Sequence, residues 1–232
     1  MRACLLKGQA LVVGSELLIQ DEQAHHLINV ARITVDEKIL ILNGEGLSAI
    51  GQLNTINKKN LRLKIIEVKK HDHFHHIDLA IATNKKDPME DILKMAAELG
   101  IRKIYPVRTQ YSQPLNLNHE RVERIFASGL EQSNNPYLPE LMPEADLKSV
   151  AFSDYKTIYC FHLTGEKPSD LNPHKQDAPE LIFIGPEAGF GDADIEFLKA
   201  LPNIKMLTLN LPILRATTAV PVAMGLCLGR TS

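Results

Sequence analysis

Residues 181–198 constrain this chain more than any other stretch of it. They read Leu181-Ile182-Phe183-Ile184, then Gly185-Pro186-Glu187-Ala188-Gly189-Phe190-Gly191, then Asp192-Ala193-Asp194-Ile195-Glu196-Phe197-Leu198. Four apolar residues bounded by turn formers suit a strand buried on both faces. Three glycines and a proline in the next seven residues make a tight loop whose backbone a ligand can approach closely. Asp192 is expected to cap a helix, Asp194 favours the positive end of its dipole, and Ile195 and Leu198 begin an apolar stripe. The spacing predicts strand, glycine loop, helix.

The charge of the loop narrows its ligand. A phosphate cradle needs the Gly-Lys-Ser/Thr ending of the P-loop, which is missing. The dinucleotide pattern G-x-G-x-x-G also fails, because Gly189-Phe190-Gly191 runs on to Asp194 where the third glycine belongs. Glu187, Asp192 and Asp194 would repel a pyrophosphate at short range. The loop suits a neutral or cationic ligand, and S-adenosylmethionine, a sulfonium without phosphate, is one. A tight turn that binds nothing is the alternative.

The remaining sequence divides in two. Residues 1–72 read as short strands with one helix, a small β-barrel: Ile39 to Leu42, the turn Asn43-Gly44-Glu45-Gly46, residues 47–53, and an alternating strand from Leu61. Asp21 is expected to cap the helix, which runs to Ala31. The run His71-Asp72-His73-Phe74-His75-His76 marks the boundary; it is read as a polar linker, with no metal site. Residues 73–232 alternate strand and helix. A strand over 77–82 leads to a helix with Asp87 as cap, Pro88 in first position and Glu90 closing a capping box. Gly100 ends that helix, and a strand over 101–107 follows, a βαβ unit and hence a parallel sheet. Further expectations are a helix over 120–132, strands over 157–161 and 206–209, and a last helix from Thr218 with Pro221 in its first turn.

Composition excludes more than it assigns. The 232 residues are 44% hydrophobic and 23% charged, ordinary for a water-soluble fold, with no apolar run long enough for a membrane span. Lys7 interrupts the N-terminus too early for a signal peptide. Three scattered cysteines (Cys4, Cys160, Cys227) argue against a disulfide framework and for the cytoplasm. Net charge is −2, yet residues 1–72 hold ten basic against eight acidic side chains, which permits RNA contact there. Candidates for phosphate contact are Arg2, Lys7 and Arg32, with Lys58, Lys59, Arg62 and Lys64; lysines protecting a sheet edge are the competing explanation.

A second informative stretch, Leu207-Thr208-Leu209-Asn210-Leu211-Pro212-Ile213-Leu214-Arg215-Ala216-Thr217-Thr218-Ala219, leaves a strand, turns, and enters a helix through threonines. Here the sequence resembles the RsmE family within the SPOUT class of S-adenosylmethionine-dependent RNA methyltransferases. The matching pieces are Val30-Ala31-Arg32; Lys94 with Glu98-Leu99-Gly100; Glu131-Gln132-Ser133; Gly185-Pro186-Glu187 with Gly189; and Ile213-Leu214-Arg215 with Thr218-Ala219. They occur in family order over nearly the whole chain.

The resemblance implies an N-terminal PUA-like β-barrel followed by a SPOUT α/β domain tied in a deep C-terminal trefoil knot, and a homodimer. It implies an enzyme that methylates N3 of a uridine in small-subunit ribosomal RNA, free or in the assembled subunit, with S-adenosylhomocysteine as product and neither DNA nor a membrane as partner. Cofactor residues carried over are Phe161, His162, Gly185, Pro186, Glu187, Ala188, Gly189, Leu209, Asn210, Leu214 and Thr218. The family usually has glycine at Ala188 and Asn210, glutamate at Thr217, and an arginine near Asn135. A methyl at Ala188 requires negative φ there, and Asn210 can take the left-handed conformation of a glycine. The departures at Thr217 and Asn135 leave two other readings open, a different RNA position as acceptor or a non-catalytic assembly factor.

Methyl transfer to uracil N3 needs alignment of the reacting atoms, loss of the imide proton, and a cation for the charge that spreads onto O2 and O4. Arg215 is the candidate cation, with pairing to an acidic residue of the fold as its ordinary explanation. Glu131 is the candidate proton acceptor or uracil-edge ligand, or else a plain helix carboxylate. His162, at a strand end, is a further base candidate.

Overall fold

The computed structural model describes residues 1–30, 32–168, 178–209 and 211–229. These form two compact units, Met1–His73 with Ala127–Leu138, and Phe74–Phe126 with the chain from Pro139 onward.

The first unit is a five-stranded sheet of β1 (Arg2–Leu5), β2 (Glu16–Gln20), β3 (Lys38–Leu42), β4 (Leu47–Ile56) and β5 (Asn60–Lys70), in the order β1-β3-β4-β5-β2. Its pairs are antiparallel except β1 with β3. Period-2 alternation decides the faces: Leu17, Ile19, Ile39, Ile41, Leu61, Leu63 and Ile65 turn inward and are buried, while Leu18, Arg62 and Lys64 turn out. Helix α1 (Asp21–His25) continues as a π-helical turn His26–Val30 and contributes Ala24 and Leu27 to this core. Asp21 does not cap it: it is the first helical residue, at φ 55°, behind Gln20, with no side-chain cap bond.

The second unit is a parallel seven-stranded sheet. Its strands are β6 (Ile77–Ala82), β7 (Lys103–Arg108), β8 (Glu140–Leu141), β9 (Ala145–Asp146), β10 (Thr157–Glu166), β11 (Glu180–Ile184) and β12 (Ile204–Leu207). The order is β12-β10-β11-β6-β7-β8, with β9 also on β7. Every residue of β6 and β11 is buried, as expected for central parallel strands covered on both faces. The helices are α2 (Lys86–Glu98), α3 (His119–Ser133, which passes from this unit into the first), α4 (Asp192–Lys199) and α5 (Ala216–Leu228).

Three further helix starts differ from expectation. Helix α2 begins at Lys86, so Asp87 lies inside it, and Glu90 binds Arg121 at 2.8 Å instead of closing a capping box. Gly191 takes the cap position of α4, and the Asp194 carboxylate bonds back to its N–H at 3.1 Å; Asp192 is the first helical residue. Helix α5 begins at Ala216, which puts Pro221 past the first turn and leaves the Thr217 carbonyl without its helical donor. Gly100, at φ 76°, ends α2 as expected.

Candidate functional site

All strands of the second sheet are parallel, so the carboxyl ends of β10, β11, β6 and β12 open on one edge, where open α/β sheets hold ligands. Around that edge lie residues 162–166, the glycine loop 185–191, and 208–209 with 211–215 after β12.

The glycine loop is shaped by two anchors. Phe190 folds back beneath it: its ring packs edge-on to Phe183 at 5.2 Å, and a Cβ on Gly185 would come within 2.8 Å of it. Asp194 is the other, accepting hydrogen bonds from Gly191 N and from Gln110 N at 3.0 Å. The loop after β7 is thereby tied to the loop after β11. Between the anchors the backbone is bare. Gly189 sits at φ 80° with no atom within 4 Å of where a Cβ would stand, and Ala188 is absent from the positive-φ residues, so its methyl group is unstrained. Glu187, Ala188 and Asp192 are exposed and Pro186 is buried.

The β10 and β12 sides converge at Gly165, where an added Cβ would collide with the Leu207 backbone. Thr208 N donates to Glu166 O at 2.8 Å and its hydroxyl to Leu163 O at 3.2 Å. The chain then returns from the edge strand β12 to α5, which packs on α2 and on β11. Leu163, Leu211 and Ile213 are exposed by 66%, 52% and 77%. Leu209 and Leu214 are half-buried, Thr218 is exposed in the first turn of α5, and Asn210 lies outside the described residues.

His162 shares a 2.9 Å hydrogen bond between Nδ1 and Thr164 Oγ1, and its ring lies 6.3 Å from that of Phe190. Burial, then the charge of Lys199, lowers its pKa from 6.5, so the ring is neutral at pH 7 and can accept a proton. Arg215 precedes α5, is exposed, and has no carboxylate partner among the described residues; only its carbonyl is engaged, by Thr218 N and Ala219 N. Phe161 is half-buried at the end of the five residues of β10 that pair with β11.

Glu131 belongs to the first unit. Its Oε1 accepts a 2.9 Å bond from Leu5 N, and burial holds its pKa above the usual carboxylate value. Burial first, then the charge of Glu131, pushes the thiol of Cys4 up to about 12, so this cysteine is packing, not a nucleophile. Asn135 is buried in the same unit and ends α3: its N–H reaches Leu130 O and its Oδ1 accepts from Tyr137 N.

Among the candidate phosphate ligands, Arg2 is paired with Glu37 at 2.7 Å and Arg62 with Glu16 at 3.8 Å. Arg32 is exposed at φ 50°. Lys58 and Lys59 sit at the β4–β5 turn, which Asn57 and Asn60 close. In the histidine run His71 bonds Ser48 Oγ, His75 bonds Leu99 O and His76 meets Arg102.

Phe190, Gln110 and Asp194 shape the loop without having been singled out for that. A phenylalanine inside a glycine-rich loop was the one available hint; Gln110 is 84 residues from Asp194, and nothing local marks it.

The groups present fit S-adenosylmethionine: a bare glycine turn with no basic side chain in it, and the exposed apolar side chains Leu163, Leu211 and Ile213 in the segments after the neighbouring strands. Comparison with known proteins points the same way. A profile of the RNA methyltransferase domain matches residues 71–228, and one of the RNA methyltransferase PUA domain matches 19–66. The ribosomal RNA small subunit methyltransferase E of Rickettsia conorii is 29% identical over 217 residues, 90% of this chain and 87% of that protein. Its counterpart in Bacillus subtilis is 23% identical over 231 residues, 92% and 90% of the two chains. A solved ribosomal RNA small subunit methyltransferase E from Neisseria gonorrhoeae, bound to S-adenosyl methionine, superposes with a TM-score of 0.81 at 23% identity, covering 97% of this chain and 95% of that one. A methyltransferase from Legionella pneumophila with bound cofactor SAM gives 0.81 at 22% identity, over 98% and 96%.

Proposed function

The chain belongs to the RNA methyltransferase domain family, and from that premise we propose that it methylates N3 of a uridine in small-subunit ribosomal RNA, using S-adenosylmethionine. The observation that carries this reading is the glycine loop: phosphate-averse, locally bare of side chains, and held open from both ends by Phe190 and Asp194. Residues 161–166, 185–191 and 209–218 would hold the cofactor, which supplies an electrophilic methyl on sulfur.

The chain's own residues do the rest. Backbone of the loop fixes the donor so that N3 meets the methyl in line, which accounts for most of the rate. The imide proton passes to a base, for which His162 has a neutral ring beside the glycine loop, 6.3 Å from the ring of Phe190. Arg215 has no carboxylate partner among the described residues to compete for the negative charge that develops on the uracil oxygens.

The return of the chain from β12 to α5 against β11 supports a knotted C-terminus, and the nearly all-apolar α5 supports a homodimer, since a helix apolar all round needs cover on every side. Three buried thiols, Cys4, Cys160 and Cys227, suit the reducing cytoplasm. Mapping of methylated positions by mass spectrometry in small-subunit RNA from a deletion strain tests the acceptor. Loss of one N3-methyluridine is expected. An unmodified position elsewhere would move the acceptor, and an unchanged methylation pattern together with no calorimetric heat for S-adenosylmethionine would leave a binding protein.

A further inference from the structure

Among the described residues two aromatic side chains are exposed, Phe74 and Tyr111. Phe74 lies against Gly100, ahead of β7, where an added Cβ would come within 3.0 Å of its ring. Tyr111 follows β7 and is 46% exposed, on the carboxyl edge of the parallel sheet that also carries the glycine loop. In strand order that loop has β10 and β12 on one side, with Leu163, Leu211 and Ile213 in the segments after them, and β6 and β7 on the other. Tyr111 is the exposed aromatic of this second flank.

A single exposed ring at a turn is ordinary and needs no ligand to explain it. The turn under Tyr111, however, is held on every side. Ser112 N donates to Thr109 O at 3.2 Å, closing a β-turn with Gln110 and Tyr111 at its tip. Thr109 N donates to Ser112 Oγ at 3.0 Å, and that hydroxyl donates to Val107 O at 3.3 Å. Gln110 N is bound to Asp194, and the Gln110 side chain packs so closely on Gly191 that an added Cβ there would collide with it. Behind the turn, Gln113 N donates to Thr83 O at 2.9 Å and Thr83 Oγ1 to Gln113 O at 2.8 Å, which anchors the segment to buried chain after β6. Gln110 Nε2 donates to the Tyr111 hydroxyl at 3.2 Å and steadies the ring itself.

Residues 109–113 carry no charged side chain, so the turn is unsuited to gripping phosphates. It presents a π face, which every base can stack on. A uridine in structured RNA must leave its own stack before N3 can be reached, and a ring held ready beside the methyl donor replaces the stacking lost. We propose that Tyr111 is the platform on which the acceptor uracil stacks once it is turned out of the RNA. The inference rests on the proposed RNA substrate and adds the side chain that receives the base.

Tyr111→Leu is expected to lower kcat/KM for in vitro transcribed small-subunit rRNA about tenfold, with the S-adenosylmethionine heat and thermal stability of wild type. Tyr111→Phe and Tyr111→Trp keep a ring and should keep the rate. The chain has no tryptophan, so Tyr111→Trp also supplies a single indole fluorophore. Its emission should be quenched by the rRNA, and the quench should vanish when the mapped uridine is replaced by an abasic site. A Tyr111→Leu rate equal to wild type, a Tyr111→Phe rate as low as that of Tyr111→Leu, or a quench that survives the abasic site overturns the platform. If wild type methylates the rRNA in any of these cases, only the platform is lost. Wild type that neither binds nor methylates it removes the substrate reading as well.

Discussion

At the scale of single residues, the proposed roles of Arg215 and His162 are the ones that substitution can separate. Replacing Arg215 with Gln removes the cation that would meet the charge on uracil. Single-turnover methyl transfer should fall about a hundredfold while the calorimetric Kd for S-adenosylmethionine stays within about twofold. An equal loss in both would return Arg215 to a packing role. The two base candidates separate by pH. Because burial and Lys199 lower the His162 pKa below 6.5, a rate limited by His162 should hold from pH 8 downward and fall only below that value; His162→Gln would abolish this acid limb. Glu131→Gln leaves it in place if the carboxylate only holds Leu5. The stability consequence of Glu131 runs the other way from a salt-bridged acid. Its folded pKa is raised above 4.5, so its contribution is fully present below 4.5 and is lost as pH climbs through the folded value. Relative to wild type, Glu131→Gln should therefore be more favourable at pH 7 than at pH 4, read by chemical denaturation at both.

At the level of the element, the loop between β11 and α4 is held from outside as much as from within. Asp194→Ala breaks the bonds to Gly191 N and Gln110 N together, so it should cost about 1–2 kcal/mol in stability and weaken S-adenosylmethionine binding. Asp192→Ala, which removes a charge but no cap bond, should leave stability within about 0.5 kcal/mol. The pattern of helix starts has a common cause. Sequence alone marks Asp21, Asp87 and Asp192 as caps because acceptor side chains suit orphan N–H groups. In each case the chain enters the helix one to two residues earlier or caps it through another residue, since packing of the apolar stripe, not the cap, fixes where the turn begins.

For the molecule as a whole, α5 carries the next question. Val220, Ala223, Met224 and Cys227 are buried in a helix that packs on α2 and β11, while Val222 and Leu226 are half-exposed and Gly225 is open. Leu226→Glu should shift a dimer at micromolar concentration to monomer in sedimentation velocity and cut methyl transfer with it. A protein monomeric before the substitution would remove the homodimer reading.

The sequence by itself determined the kinds of element and their order. Period-2 alternation, continuous apolar runs and glycine punctuation are local properties, so the strands, the parallel character of the second sheet and the strand–glycine loop–helix unit could be read from neighbours a few residues apart. The tertiary structure alone decided that β5 is internal to its sheet, that Asp194 holds Gln110, that Glu131 serves Leu5, and that β12 lies beside β10. Each joins residues tens of positions apart, and the register that brings them together is set by burying the whole core at once, which no window of sequence contains.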